Sequence, residues 1–291
     1  MVAMAKKRKA FIHVGLDDGS GDIIDAALER HTRALAELGV CRPATSGEEM
    51  FRAALEILRN HQDWGYQRAE VEGAWTGIVR RGLKGRDTLV FSQPLLAAAR
   101  PEQIALLLDA LGGFEVHVVI TAHAPDAWTV PGEPRHDLGS VLESWGQSVK
   151  KPERLHVVVA ADARATWKSF GRVVGFGTSS LRIDDVPVPA KPRPPHLALA
   201  SRVAVLRALG ESWVELLAST EYDVVGDAGA LVPAEDAVDE PEVVVSVAEH
   251  ALNDALAEIE RLTRRNESLE LKVGALEKKR KKLKRKLSSV A

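Results

Sequence analysis

The chain has 291 residues, of which 45% are hydrophobic, and its 39 basic and 41 acidic side chains give a formal net charge of −2. This composition excludes wholesale disorder. The single cysteine, Cys41, excludes a disulfide framework and a cysteine-rich zinc site. No run of about 18 apolar residues is present to span a membrane. The charges are unevenly placed. Residues 221–249 hold nine acidic and no basic side chains, whereas residues 250–291 hold twelve basic and six acidic ones. We therefore expect a soluble cytoplasmic protein with a balanced body, an acidic strip and a basic tail.

Short β-branched runs alternate with helical patterns through the body of the chain. The sequence predicts strands at residues 10–15, 88–92, 115–122 and 155–161, and helices at residues 23–38, 48–61, 68–81, 102–111, 164–174 and 197–217. This alternation is typical of βαβ units. We therefore predict an α/β fold, a three-layer, mostly parallel sheet with helices on both faces, followed by a long C-terminal coiled-coil helix.

Four segments follow from these patterns. We expect a basic N-terminal extension at residues 1–9 and an α/β domain at residues 10–219. Residues 220–245 are acidic and contain Pro233 and Pro241, which indicates a flexible linker. Residues 246–291 are predicted to form a coiled coil with a basic end.

The first predicted strand enters a glycine-rich turn, the usual device for holding a phosphate at the start of a helix. The segment from Phe11 to Asp22, F-I-H-V-G-L-D-D-G-S-G-D, resembles the opening of the P-loop-related sulfotransferase family, whose pattern is roughly F-[IL]-H-[IV]-G-x-P-K-[TS]-G-[TS]-[TS]. Residues 11–16 match in order, and a weaker likeness to bacterial members of the family extends over about residues 10–215. The resemblance implies a P-loop NTPase/sulfotransferase-like fold, with 3′-phosphoadenosine-5′-phosphosulfate as the donor wherever the family activity survives.

The chain departs from the family at the residues that hold the donor. Asp17 and Asp18 replace the Pro-Lys pair, Ser20 is displaced to the glycine position, and His123 stands where the family has an arginine for the 3′-phosphate. The resulting degenerate loop comprises Gly15, Asp17, Asp18, Gly19, Ser20, Gly21 and Asp22. Two charges about 4 Å apart interact by roughly 4 kcal/mol at an effective dielectric near 20, so these carboxylates would repel the donor. We therefore expect no normal donor binding at this turn.

Other roles of these residues remain open alternatives. Asp17, Asp18 and Asp22 could hold a divalent metal that bridges to phosphate, but a solvated turn with an aspartate cap is favoured, and no metal is expected. The candidate catalytic residues are His13 and His123. His13 lies inside the first strand and is favoured as a structural residue. His117 and His123 lie on or just after the third predicted strand, at the carboxyl edge, where His123 is either an anion contact when protonated or a surface loop residue.

The C-terminal segment carries a heptad repeat. Apolar residues recur at the a and d positions, and Asn266 at an a position is typical of a parallel two-stranded coil with a fixed register. The alternative is a long helix folded back on the body, but the strict repeat favours a homodimeric coiled coil. The predicted dimerisation residues are Leu252, Ile259, Leu262, Asn266, Leu269, Val273, Leu276 and Leu283.

The end of this helix is strongly basic. Eight of the nine residues in Lys278–Lys286 are basic, which predicts an anionic partner, either nucleic acid, a membrane surface or an acidic protein. The predicted contacts are Lys278, Lys279, Arg280, Lys281, Lys282, Lys284, Arg285 and Lys286. The alternative is a solubilising tail.

Three functions follow from these features. The favoured one is a sulfotransferase-like protein with lost or strongly altered donor binding that acts as a dimeric binding or scaffolding module. The others are an active sulfotransferase with an atypical donor site, and a protein that acts on nucleic acid or anionic membranes through its basic tail.

Overall fold

The computed structural model describes residues 7–16, 23–125, 129, 135–149, 151–160, 162–184, 186 and 200–233. These residues contain the strands β1 (Lys9–Gly15), β2 (Val40–Cys41), β3 (Thr88–Ser92), β4 (Glu115–Ala122), β5 (Leu155–Val159) and β6 (Asp223–Val225). The six strands form one parallel sheet in the order β2-β3-β1-β4-β5-β6. The predicted parallel α/β class is therefore confirmed.

Helices connect successive strands. They are α1 (Ile23–Arg30), α2 (Thr32–Glu37), α3 (Gly47–Leu58), α4 (Arg68–Val71), α5 (Ala74–Leu83), α6 (Pro101–Asp109), α7 (Leu138–Gly146), α8 (Ala163–Val174) and α9 (Ala200–Ala218). Short 3-10 helices occupy His61–Trp64, Pro94–Ala98, Pro152–Arg154 and Ala228–Leu231. No helix in the described part of the chain combines the length and apolarity needed to cross a bilayer.

The two faces of the sheet bury separate hydrophobic clusters, as expected for a sheet covered by helices on both sides. One cluster joins alternate strand residues such as Phe11 and Val119 to α1, α2 and α8. The other joins residues of the opposite face, such as Ile12 and Val118, to α3, α5, α6, α7 and α9. Consecutive residues of β1 and β4 thus enter different cores, which explains why these strands are apolar at nearly every position.

The four predicted strands are confirmed within two residues at each end, but β2 and β6 were not predicted. These strands have two and three residues, which is too short for a periodic signal. The predicted helix at residues 23–38 divides into α1 and α2 at His31, and the one at residues 68–81 divides at Gly73, where φ is +83°. Helix α7 was not predicted either.

The ends of the body differ in detail from the four segments expected from the sequence. Arg8 donates to the carbonyl oxygen of Asp87 over 2.7 Å, and Lys9 begins β1, so both belong to the α/β body. At the other end, β6 and the 3-10 helix Ala228–Leu231 lie within the range assigned to the acidic linker. Residues 234–291, which include every predicted dimerisation and tail residue, lie outside the described residues.

Candidate functional site

The carboxyl end of β1 lies where the connections of the sheet diverge. The chain leaves β1 for α1 on one face, whereas it leaves β3 and β4, the neighbours of β1, for α6 and α7 on the other face. Such a divergence opens the crevice in which open α/β sheets bind ligands. The predicted donor loop begins here, but Asp17–Asp22 lie outside the described residues, so Gly15 alone of that set is placed.

His13 ties together three strands beneath this crevice. Its Nδ1 lies 2.7 Å from Oγ of Ser92 at the end of β3, and its Nε2 lies 3.1 Å from Oγ1 of Thr121 near the end of β4. Burial lowers the pKa of His13 from 6.5 to about 3. The ring is therefore neutral at physiological pH and offers no positive charge to an anion.

A serine–histidine distance of 2.7 Å is also what a nucleophile and its general base require. Ser92 is only 1% exposed, however, and the second nitrogen of His13 is held by Thr121. A general base works best when its pKa lies near the working pH, and the pKa of His13 lies far below it. The arrangement is therefore suited to holding strands together and unsuited to activating the serine.

Gly15 leaves room for the Thr121 side chain at the floor of the crevice. A Cβ at this position would lie 2.6 Å from Oγ1 of Thr121, which is closer than atoms can pack. The N–H of Leu16 donates to the carbonyl oxygen of Thr121 over 3.2 Å and continues the pairing past Gly15. Leu16, the last described residue before α1, is thus held against β4.

His123 follows β4 directly, at the position where the resemblance implies a phosphate-binding arginine. Its Nδ1 donates to the carbonyl oxygen of Ala124 over 2.8 Å, so in the neutral ring Nε2 holds a lone pair. That Nε2 is buried and has no hydrogen-bond partner in the described structure. A neutral His123 therefore presents an acceptor, whereas a phosphate oxygen requires a donor.

Arg42, which sequence reasoning missed, is a cation at the same edge of the sheet. It follows β2, is 5% exposed, and donates through Nε and Nη2 to both carboxylate oxygens of Asp25, over 2.8 and 2.7 Å. Nη2 also lies 3.2 Å from Oε2 of Glu29. Burial raises the pKa of Asp25, and the guanidinium opposes that rise. Two carboxylates thus neutralise Arg42 within the fold.

The placement of His117 at the carboxyl edge was wrong. His117 is the third residue of β4 and pairs in register with Phe11 near the amino end of the sheet. There it bonds to Glu115 and to His156. Histidines inside two neighbouring buried strands were a visible signal, but their contact depends on a register that local sequence does not encode.

Within the described ranges, no group of three or more His, Cys, Asp or Glu side chains is arranged to hold a metal ion. The chain matches no protein-family model, no curated protein and no solved structure.

Proposed function

We propose that this chain is a sulfotransferase-like α/β protein that has lost or strongly altered its phosphosulfate-donor binding and acts as a dimeric binding or scaffolding module. The donor position would be the crevice at the carboxyl end of β1. The observation that carries the proposal is the electrostatic character of that edge. Transfer of a charged group depends on donors and positive charge aimed at the reacting oxygens. At this edge His13 is neutral, and Arg42 is paired with two carboxylates.

Support comes from His13, His123, Arg42 and the sequence of the loop. His13 is neutral and both of its nitrogens are occupied. Nδ1 of His123, at the position where the resemblance implies an arginine, is bonded to the carbonyl oxygen of Ala124, and its Nε2 is buried. Arg42 is paired with Asp25 and Glu29, and the sequence adds Asp17 and Asp18 in place of the family's Pro-Lys pair.

A test is whether a donor analogue stabilises the folded chain. A ligand that binds only the folded state at one hundred times its Kd raises the free energy of unfolding by about 2.7 kcal/mol. We expect adenosine 3′,5′-bisphosphate to leave the urea midpoint of the full chain unchanged, with or without Mg²⁺. A clear rise of the urea midpoint without Mg²⁺ would favour an active sulfotransferase with an atypical donor site. A rise of the urea midpoint only when Mg²⁺ is present would point to a metal held by Asp17, Asp18 and Asp22.

The basic run Lys278–Lys286 supports a second candidate function, association with nucleic acid or an anionic membrane. Binding by clustered lysines and arginines releases counterions and therefore weakens steeply with salt. We expect the full chain to bind duplex DNA or phosphatidylserine vesicles at low salt and a chain ending at residue 277 to lose that binding. Equal binding by both chains, or no binding by either, would contradict this second candidate function.

A further inference from the structure

Four side chains form a continuous hydrogen-bonded row at the amino edge of the sheet, opposite the crevice. Glu115 Oε1 lies 3.0 Å from Nε2 of His117, whose Nδ1 lies 2.9 Å from Nε2 of His156. Nδ1 of His156 lies 2.6 Å from Oδ2 of Asp223. Strand register explains the row, because Glu115 and His117 share one face of β4 and His156 lies directly opposite Asp223 on that face. We call these four residues the amino-edge row.

The middle of the row is buried and its ends reach water. His117 and His156 are 7% and 8% exposed, and the ring of Phe11 stacks on His117 with centroids 4.8 Å apart. The carboxylate side chains are 27% exposed at Glu115 and 49% exposed at Asp223. The buried nitrogens therefore depend on the row for their hydrogen bonds, since an unsatisfied buried polar atom is costly.

The gap between the two imidazoles fits a hydrogen atom. The rings lie within 16° of parallel with centroids 5.2 Å apart. The 5.2 Å between the centroids is about equal to the 2.9 Å between the nitrogens plus the radius of each ring. Both nitrogens therefore lie on the line that joins the ring centres. A zinc ion stands about 2.0 Å from each nitrogen, so along this line it would need nearly 4 Å between them. The contact is therefore an N–H···N hydrogen bond.

Counting hydrogens fixes the charge of the row. Three bridges need three N–H hydrogens, because an ionised carboxylate only accepts. Two neutral imidazoles carry two hydrogens between them. We propose that the amino-edge row holds one extra proton shared by His117 and His156, and that this proton fastens β6 to the sheet. A second extra proton is disfavoured, since it would place two N–H groups head to head.

The surrounding charges place the extra proton on His156. Glu115 is already paired with Arg154 over 3.3 Å, and Lys9 adds positive charge on the side of His117. Asp223 forms its only ion pair in the described structure with His156. Burial lowers the pKa of His117, and the positive charge of His156 acts in the same direction. The hydrogen bond that His117 donates to Glu115 opposes both effects. His156 is thus the imidazolium that donates to both neighbours, and His117 is neutral.

Strand β6 is the element that this proton controls. It has three residues, and among the strands of the described residues it lies at the edge of the sheet and pairs with β5 alone. Without the extra proton, one of the three bridges has no hydrogen, and the charge attraction between His156 and Asp223 is lost. The folded state holds the proton, so its contribution is present at low pH and is lost as the pH rises. Residues 221–233 are held more firmly in mild acid than in mild alkali.

Nitrogen-15 NMR of the imidazole rings in the full chain tests the protonation state. At pH 5.5, one unit below the ordinary histidine pKa, we expect His156 to show two N–H groups and His117 one, on Nε2. Two neutral rings at that pH, or two imidazolium rings, would overturn the proposal.

Hydrogen exchange tests the consequence for β6. After correction for intrinsic exchange rates, we expect the protection of amides 223–225 to be about tenfold higher at pH 5.5 than at pH 8, the effect of one charged hydrogen bond. Asp223→Asn should remove this difference, because an amide can itself donate to Nδ1 of His156 and the row then needs no extra proton. Asp227→Asn, outside the row, should keep it. The same pH ratio in the wild type and Asp223→Asn would overturn the proposal.

Discussion

Arg42 and Asp25 form a two-point ion pair inside the body, with Nε–Oδ1 and Nη2–Oδ2 distances of 2.8 and 2.7 Å. Their side chains are 2% and 8% exposed. The pair joins α1 to the segment after β2, at the same edge of the sheet as the β1 crevice. A cation that could have served an anionic ligand is thereby committed to holding the fold together.

Loss of Arg42 should therefore destabilise the protein more than loss of an exposed arginine. Arg42→Met leaves Asp25 buried without its partner, and we expect the free energy of unfolding to fall by about 3–5 kcal/mol. Arg68→Met removes an exposed pair with Glu72, whose side chains are 77% and 61% exposed, and should cost less than about 1 kcal/mol. Urea unfolding of both variants measures the difference, and equal losses would contradict the role given to Arg42.

His13 predicts a loss of stability in acid. Burial holds its pKa at about 3 in the folded state, whereas in the unfolded chain it is near 6.5. Because the folded pKa is the lower one, the unfolded state binds the proton first, and stability is lost as the pH falls from about 6.5 towards 3. We expect about 2 kcal/mol of this loss by pH 5.

The variant His13→Gln isolates this effect from other titrating groups. It should be less stable than the wild type at pH 8, because the contacts with Ser92 and Thr121 change. Between pH 6.5 and pH 5, the free energy of unfolding of the variant should then decline less than that of the wild type. Unfolding curves at both pH values give the comparison, and an identical decline in both proteins would show that His13 does not remain neutral in the folded state.

Gly226 should be intolerant of any side chain. Its φ is +116°, and a Cβ there would lie against the carbonyl oxygen of Val159 in β5. Gly226→Ala should therefore lower the free energy of unfolding by about 3 kcal/mol, from the strained φ and the clash together. Gly177→Ala is the matched control, because nothing lies within 4 Å of its added Cβ, and it should change stability little. Similar free energies of unfolding for the two variants would mean that the chain after β6 does not pass this close to β5.

The heptad repeat predicts assembly through the C-terminal segment. Sedimentation equilibrium should give a dimer for the full chain and a monomer for a chain ending at residue 238. Asn266→Leu should stabilise the assembly but broaden its oligomeric state, since a buried asparagine fixes register at some cost in stability. If both chains are monomers, or if both are dimers, assembly through this segment is contradicted.

Sequence patterns predict long buried strands well and short edge strands poorly. The run Glu115–Ala122 is bounded correctly because its β-branched residues are apolar on both faces. In contrast, Asp223–Val225 owes its strand conformation to pairing with β5, which no local pattern reveals. The site residues divide in the same way. His13 and Gly15 could be singled out from one segment, whereas the Ser92, Thr121 and Arg42 contacts, and the amino-edge row, required the register of strands distant in sequence.

Calorimetric titration of the full chain with adenosine 3′,5′-bisphosphate, in parallel with Asp18→Lys/His123→Arg, tests whether donor binding has been lost. The double variant restores two cations of the family pattern and reports whether the crevice retains the shape for the ligand. We predict no measurable heat of binding to the wild type at millimolar ligand. Micromolar binding by the wild type would contradict the loss of donor binding and establish a working donor site.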